Sequence, residues 1–146
     1  MHLLLKRVRF EVYAGYMGIL PSSVWFEKNL PGVKLSYELF KKRGPIPNAT
    51  YIAAVGACMV WVEAVKNALN KVGYEKLDGQ AIYDGYMQIK NFTAMGIFPG
   101  VSYFPGDQRG VSKIRICRFE NDGSVSTVAD WFDVPHNLKL KAQENK

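Results

Sequence analysis

The stretch YIAAVGACMVWVEAVKNALNKV, residues 51–72, decides the fold of this 146-residue chain. It holds no proline and reads as one helix, which at 22 residues would span about 33 Å. Its first twelve residues have no polar face, so that half is expected to be buried all round, with Trp61 in the core. The second half is amphipathic. Ala64, Val65, Ala68, Leu69 and Val72 fall on one face, and Glu63, Lys66, Asn67, Asn70 and Lys71 on the other. Gly73 follows as the expected stop. The uncharged run is shorter than the roughly 20 residues that cross a bilayer. The chain is expected to carry neither an export signal nor a membrane anchor.

Upstream, residues 45–50 form a stiff Pro-Ile-Pro-Asn-Ala-Thr loop, from which Asn48 or Thr50 is expected to cap the long helix. Residues 33–43 predict another helix with an apolar stripe of Leu35, Leu39 and Phe40. Lys41, Lys42 and Arg43 fall in its last turn, where the helix dipole favours positive charge. Gly44 and Pro45 stop it. Pro31-Gly32 reads as a turn, and Pro31 can also open the helix. Residues 24–29 predict a short helix, residues 14–22 a loop, and residues 6–13 an edge strand with Val8, Phe10 and Val12 on one face.

Downstream, Asp78 is placed to cap a helix over residues 79–89, with Ala81, Ile82, Tyr86 and Ile89 turned inward. Gly85 costs that helix about 1 kcal/mol relative to Ala, unless another element packs close there. Residues 101–104 predict a short strand. Residues 113–119 and 125–131 predict a hairpin across Asn121-Asp122-Gly123, with the glycine suited to a left-handed position. Ile114 and Ile116 share one face; Cys117 and Phe119 share the other. Both faces of the sheet are therefore expected to be at least partly covered, as in α/β architecture rather than a one-sided meander. The polar residues after 133 predict a frayed tail.

At 48% hydrophobic and 22% charged residues the chain is a globular domain, which excludes wholesale disorder. The net charge is +6, of which residues 1–45 carry +5. That excess sits in two short clusters, Lys6-Arg7-Arg9 and Lys41-Lys42-Arg43. Nucleic-acid binders want a basic face with aromatics or a reading helix, so nucleic acid is not the expected partner. His2 and His136 are the only histidines and lie near opposite ends. No Cys/His cluster has metal-ligand spacing, no phosphate-binding glycine loop is present, and a Ser–His or Cys–His nucleophile has no placed histidine. No enzyme, cofactor or metal is expected. Cys58 and Cys117 each lie in an apolar run and predict buried free thiols, with a bridge between them left open.

From Pro31 onward the order of elements resembles the C-terminal portion of type I periplasmic solute-binding proteins, the leucine/isoleucine/valine-binding family of ABC transporters. The carrying residues are Pro31-Gly32-Val33-Lys34, the core Glu63-Ala64-Val65-Lys66-Asn67-Ala68 of the long helix, and Leu77-Asp78-Gly79-Gln80-Ala81-Ile82-Tyr83. Asn91-Phe92, Gly96, the segment 101–104, Pro105-Gly106-Asp107-Gln108-Arg109-Gly110 and the hairpin follow in order. The resemblance covers residues 31–132 and implies an α/β fold made of partial Rossmann-like lobes with a C-terminal β-hairpin. It implies that residues 31–104 belong to a first lobe, 105–111 to a hinge crossing with Pro105, Gly106, Asp107 and Gly110, and 112–133 to a second lobe. Residues 1–30 stay unassigned.

The same resemblance implies a ligand contact at the loop entering the long helix, at Asn48, Thr50 or Tyr51. It implies a non-enzymatic extracytoplasmic component, periplasmic or extracellular, that hands a branched-chain amino acid, amide, urea or aromatic acid to membrane subunits. The upstream part that grips the solute in the family is not matched by any residue here. The chain alone is therefore expected to expose apolar surface and self-associate. The rival reading is a small self-contained basic α/β domain that binds nucleic acid or an acidic partner through its first third.

Overall fold

The computed structural model describes residues 12–42, 49–107, 109–122 and 124–134. Strand β1 (Met17–Leu20) is followed by helices α1 (Pro31–Lys41), α2 (Ala49–Val72) and α3 (Gly79–Met87), with a short 3₁₀ turn at Tyr74–Lys76 between the last two. Strands β2 (Lys113–Phe119) and β3 (Val125–Asp133) close the chain in an antiparallel sheet of order β1-β2-β3.

The long helix is continuous and begins at Ala49, so Thr50 lies within it and does not cap it; Asn48 lies outside the described residues. Its buried positions are Ile52, Gly56, Val60, Ala64 and Ala68, a single row spaced four apart. All-round burial of its first half is overturned: Trp61 is 52% and Val62 56% exposed, and Cys58 is exposed rather than buried. The physical reason is that α1, α3 and the turns at residues 92–101 seat only the buried row, so one apolar face of α2 stays open. By length and composition Thr50–Val72 is the one helix among the described residues that could cross a membrane. Within its buried row, Ala64 and Ala68 meet α3 at Gly85, and Ile52 and Gly56 meet the turn at residues 94–98. Asn67 Nδ2 donates to the Gly85 carbonyl at 3.2 Å.

Asp78 caps α3 as its sequence predicts, its carboxylate accepting from the Ala81 amide at 2.8 Å. Helix α1 opens at Pro31, and the stripe of Leu35, Leu39 and Phe40 is not its buried face. Gly32, Val33 and Ser36 are buried, while Leu35 and Leu39 keep 38% and 40% of their surface exposed. Gly32 sits so close to the turn at residues 94–97 that a Cβ there would stand 2.6 Å from Ile97 Cγ1. That turn is held by two non-glycine residues in the left-handed region, Ala94 and Met95, and the Met95 carbonyl accepts the Gly32 amide at 2.9 Å. Val33, Ile52, Ala94 and Ile97 form one core cluster; Val60, Ala64, Ile89 and Val101 form the next along α2.

Residues 14–22 are not all loop. Met17–Leu20 pairs with β2, Ile19 opposite Ile116 and Leu20 opposite Arg115. Residues 24–29 are turns rather than a helix: the Glu27 amide donates to the Val24 carbonyl and the Leu30 amide to the Glu27 carbonyl, two separate three-residue steps, while the Glu27 carboxylate accepts from the Val24 amide at 2.8 Å. The edge strand expected at residues 6–13 falls almost wholly outside the described residues, as does the expected tail after Val134. Residues 101–104 make isolated bridges, Val101 with Phe92 and Val111, in place of a strand. The hairpin forms, with β-bulges on either side of Ile116; Gly123 of its turn is outside the described residues. The sheet buries one face, that of Arg115 and Cys117. The other face is covered in part, as expected: Ile114 and Ile116 are half-buried, while Met17 and Ile19 remain more than half exposed. Cys58 and Cys117 are both free thiols.

Candidate functional site

The turns at residues 24–30 deliver Trp25 to the junction of α1 with the start of α2. There it stacks on Tyr51, centroids 6.1 Å apart and planes 18° from parallel. Phe40 and Tyr37 of α1 meet the Trp25 ring edge-on at 5.7 and 6.2 Å, and Phe40 meets Tyr51 at 5.4 Å. Such edge-to-face and offset pairs are favoured by the ring quadrupoles. On this cluster opens a cleft of about 450 Å³ lined by Trp25, Phe26, Lys28, Val33, Lys34, Tyr37 and Glu38.

Two residues after Trp25, Glu27 makes an ion pair that joins the turns to the sheet. Arg115 of β2 is buried and reaches Glu27 with both terminal nitrogens, at 2.8 and 2.5 Å. Its guanidinium also lies 4.7 Å from the centre of the Trp131 ring. Burial on its own raises the Glu27 carboxyl. The Arg115 hydrogen bonds, the Val24 amide and the guanidinium charge more than offset this and hold it below its ordinary value. The pKa of the Arg115 guanidinium is raised in turn, first by the hydrogen bonds it donates to Glu27. A planar fork of donors on a carboxylate fixes both partners in orientation, so the base of the aromatic cluster is anchored to β2.

The segment 104–111 forms a second feature. Phe104 and Asp107 exchange backbone hydrogen bonds around exposed Pro105 and Gly106. Asp107 holds Arg109 through Nε at 2.9 Å and Nη2 at 2.6 Å. Gly110 is buried with φ of 73°, and a Cβ there would meet the Tyr103 hydroxyl at 3.0 Å. Tyr103 packs edge-on against Tyr86 at 5.2 Å; burial and then Tyr86 push its hydroxyl pKa up. A smaller cleft of about 250 Å³ here is shared by Ala57, Val60, Tyr86, Arg109 and Gly110.

The residues expected from sequence thus fall in two places. Tyr51 is in the aromatic cluster. Thr50 is exposed one position before it. Gly110 lines the smaller cleft beside the middle of α2, Asp107 lines a neighbouring one with Arg109 and Gly110, and Pro105 and Gly106 are exposed. Sequence reading missed Trp25, Tyr37 and the Glu27–Arg115 pair. The available signal was Arg115 itself, a charge between Ile114 and Ile116 on the strand face of Cys117, which needs a partner if that face is buried. Among the described residues no group of three or more His, Cys, Asp or Glu side chains is placed to hold a metal ion.

No known family's sequence pattern matches the chain, and no curated protein matches it by sequence. Its fold does match solved structures. An ABC transporter permease from the Pseudomonas fluorescens group is 15% identical, with a TM-score of 0.68 over 92% of this chain and 35% of its own. The substrate-binding protein of an ABC transporter from Aeropyrum pernix is 19% identical, with a TM-score of 0.62 over 82% of this chain and 32% of its own. The fold is a partial periplasmic-binding fold. The chain spans about a third of the length of these two structures. At such identities the likeness carries the fold and does not single out the leucine-binding subfamily.

Proposed function

We propose that this chain is part of an extracytoplasmic solute-binding component of an ABC transporter, for a branched-chain amino acid or a similar small amphipathic solute. The observation that supports the reading is the fold match, over 82% of this chain, to part of an ABC transporter's substrate-binding protein about two and a half times as long. In this reading residues 31–104 belong to one lobe, residues 105–111 cross between lobes, and residues 112–133 return to the other. Tyr51, Thr50 and Asn48 stand at the solute, and Pro105, Gly106, Asp107 and Gly110 absorb the closing motion. The open apolar face of α2, with Ala54, Trp61 and Val62, is where the rest of the fold seats. Membrane subunits of the transporter are the partners of the whole protein.

Calorimetric titration with leucine, alanine and urea tests the reading. The chain alone is expected to bind none of them, because a solute held between two lobes needs groups from both. A longer polypeptide joining these residues to the rest of the fold is expected to bind one of them one-to-one. Clean one-to-one binding by a monodisperse 146-residue chain would show that no further part is needed. A completed protein that binds no small amphipathic solute would overturn the transport reading.

A further inference from the structure

The cleft beside Trp25 carries its own chemistry, independent of the transport reading because, among the described residues, those that line it all lie within 25–38. Its walls are the rings of Trp25, Phe26 and Tyr37 over buried Val33. Its charges are Lys28, Lys34 and Glu38. Glu38 is engaged by Lys41 at 3.1 Å, and Lys41 also lies over the Tyr37 ring, 4.7 Å from its centre. Lys28 and Lys34 have no ion-pair partner among the described residues. The cleft therefore combines an aromatic interior with a rim of uncommitted positive charge. At about 450 Å³ it falls in the size range of small-molecule sites, roughly 300–1,000 Å³.

We propose that the Trp25–Tyr37 cleft binds a small aromatic monocarboxylate, its ring against Trp25, Phe26 and Tyr37 and its carboxylate at Lys28 and Lys34. The rings favour a flat apolar body that can stack or meet them edge-on. Two lysines favour an anion through charge-assisted hydrogen bonds. A free amino acid is disfavoured here, since its ammonium would face both lysines while the one carboxylate in the cleft is already paired. A cationic amine is disfavoured more strongly for the same reason.

The test is titration of the intact chain with 3-phenylpropionate, phenylalanine, phenethylamine and octanoate, followed by calorimetry and by chemical-shift mapping. 3-Phenylpropionate is expected to bind saturably, with shifts centred on residues 25–38, and about tenfold more tightly than phenylalanine or phenethylamine. Octanoate, which has the charge without the ring, is expected to bind more weakly. The double variant Lys28→Gln/Lys34→Gln keeps both exposed side chains near their native length, so the fold is expected to survive. It should weaken 3-phenylpropionate about tenfold with an unchanged melting midpoint, and higher salt should weaken the unsubstituted chain in the same direction. Three results each overturn the proposal: no saturable binding of 3-phenylpropionate at millimolar concentration, equal binding of phenethylamine, or undiminished binding by the double variant. Octanoate binding as tightly as 3-phenylpropionate would overturn the aromatic assignment and leave a general anionic-amphiphile site.

Discussion

A Cβ placed on Gly85 would stand 2.1 Å from the carbonyl oxygen of Ala64. Helices α2 and α3 touch there backbone to backbone, and the glycine that weakens α3 in isolation is what lets it reach α2. Gly85→Ala should gain about 1 kcal/mol of helix propensity and lose more by overpacking, which costs about 1–3 kcal/mol even where side chains rather than backbone must yield. The expected net loss is about 2 kcal/mol in a denaturant melt. A variant as stable as the parent would mean the helices do not approach this closely.

Arg115 and Glu27 are the second place where a single substitution is expected to matter. Arg115→Met keeps most of the side-chain volume but strands the Glu27 carboxylate in a partly buried site. Removing one partner of a buried pair costs about 3 kcal/mol. Glu27→Leu/Arg115→Met removes both charges and should recover much of that loss. A double-mutant cycle by chemical denaturation reads the coupling directly. Strict additivity of the two single variants would show that the pair is not formed.

How much of this was legible in the sequence follows from which contacts are local. The length of α2, the Asp78 cap and the β2–β3 hairpin depend on residues within one element or across one turn, and all three could be read; for Gly85 the sequence left open whether another element packs close, and the contact with Ala64 answers it. Strand β1 could not, because Met17–Leu20 owes its extended form to pairing with β2 about a hundred residues later. Residues 24–29 have the composition of a short helix, yet Glu27 is drawn to Arg115, 88 positions away. Trp25 went unread as a site residue for the same reason. The open face of α2 was misread because an apolar sequence says that a face wants a partner, not that the partner is present. Tyr51 was reached only through a family resemblance, and its place in an aromatic cluster came from the fold.

Trp61 tests that open face. A fully buried tryptophan truncated to alanine costs about 3–5 kcal/mol, but this one is 52% exposed. Trp61→Ser is expected to cost about 1 kcal/mol or less, while shifting sedimentation toward monomer, because it removes the largest ring from an apolar surface. A loss above about 3 kcal/mol would mean that the face is covered within the chain. An unchanged tendency to associate would place the sticky surface elsewhere, with the exposed sheet face of Met17 and Ile19 as the next to examine.

The pH dependence of the Glu27–Arg115 pair has a definite sign. Glu27 is held below its ordinary value of 4.5 in the folded chain. A carboxyl of this kind contributes stability that is fully present above its unfolded pKa and is lost as the pH falls through the lower folded one. Arg115 is raised and stays charged throughout that window, so it adds no acid titration of its own. Asp84, Glu120 and Asp122 are also lowered, chiefly by side-chain hydrogen bonds from Lys71, Ser126 and Ser124 respectively. They lie on the surface and are shared by parent and variant alike. The comparison is therefore parent against Glu27→Gln, which removes one titrating group and leaves the others. The parent's advantage in melting temperature is expected to be constant from about pH 8 to about pH 5.5 and to shrink as the pH falls below about 4.5. An advantage that stays constant to about pH 3, or widens in acid, would show that the carboxylate is not held by the guanidinium.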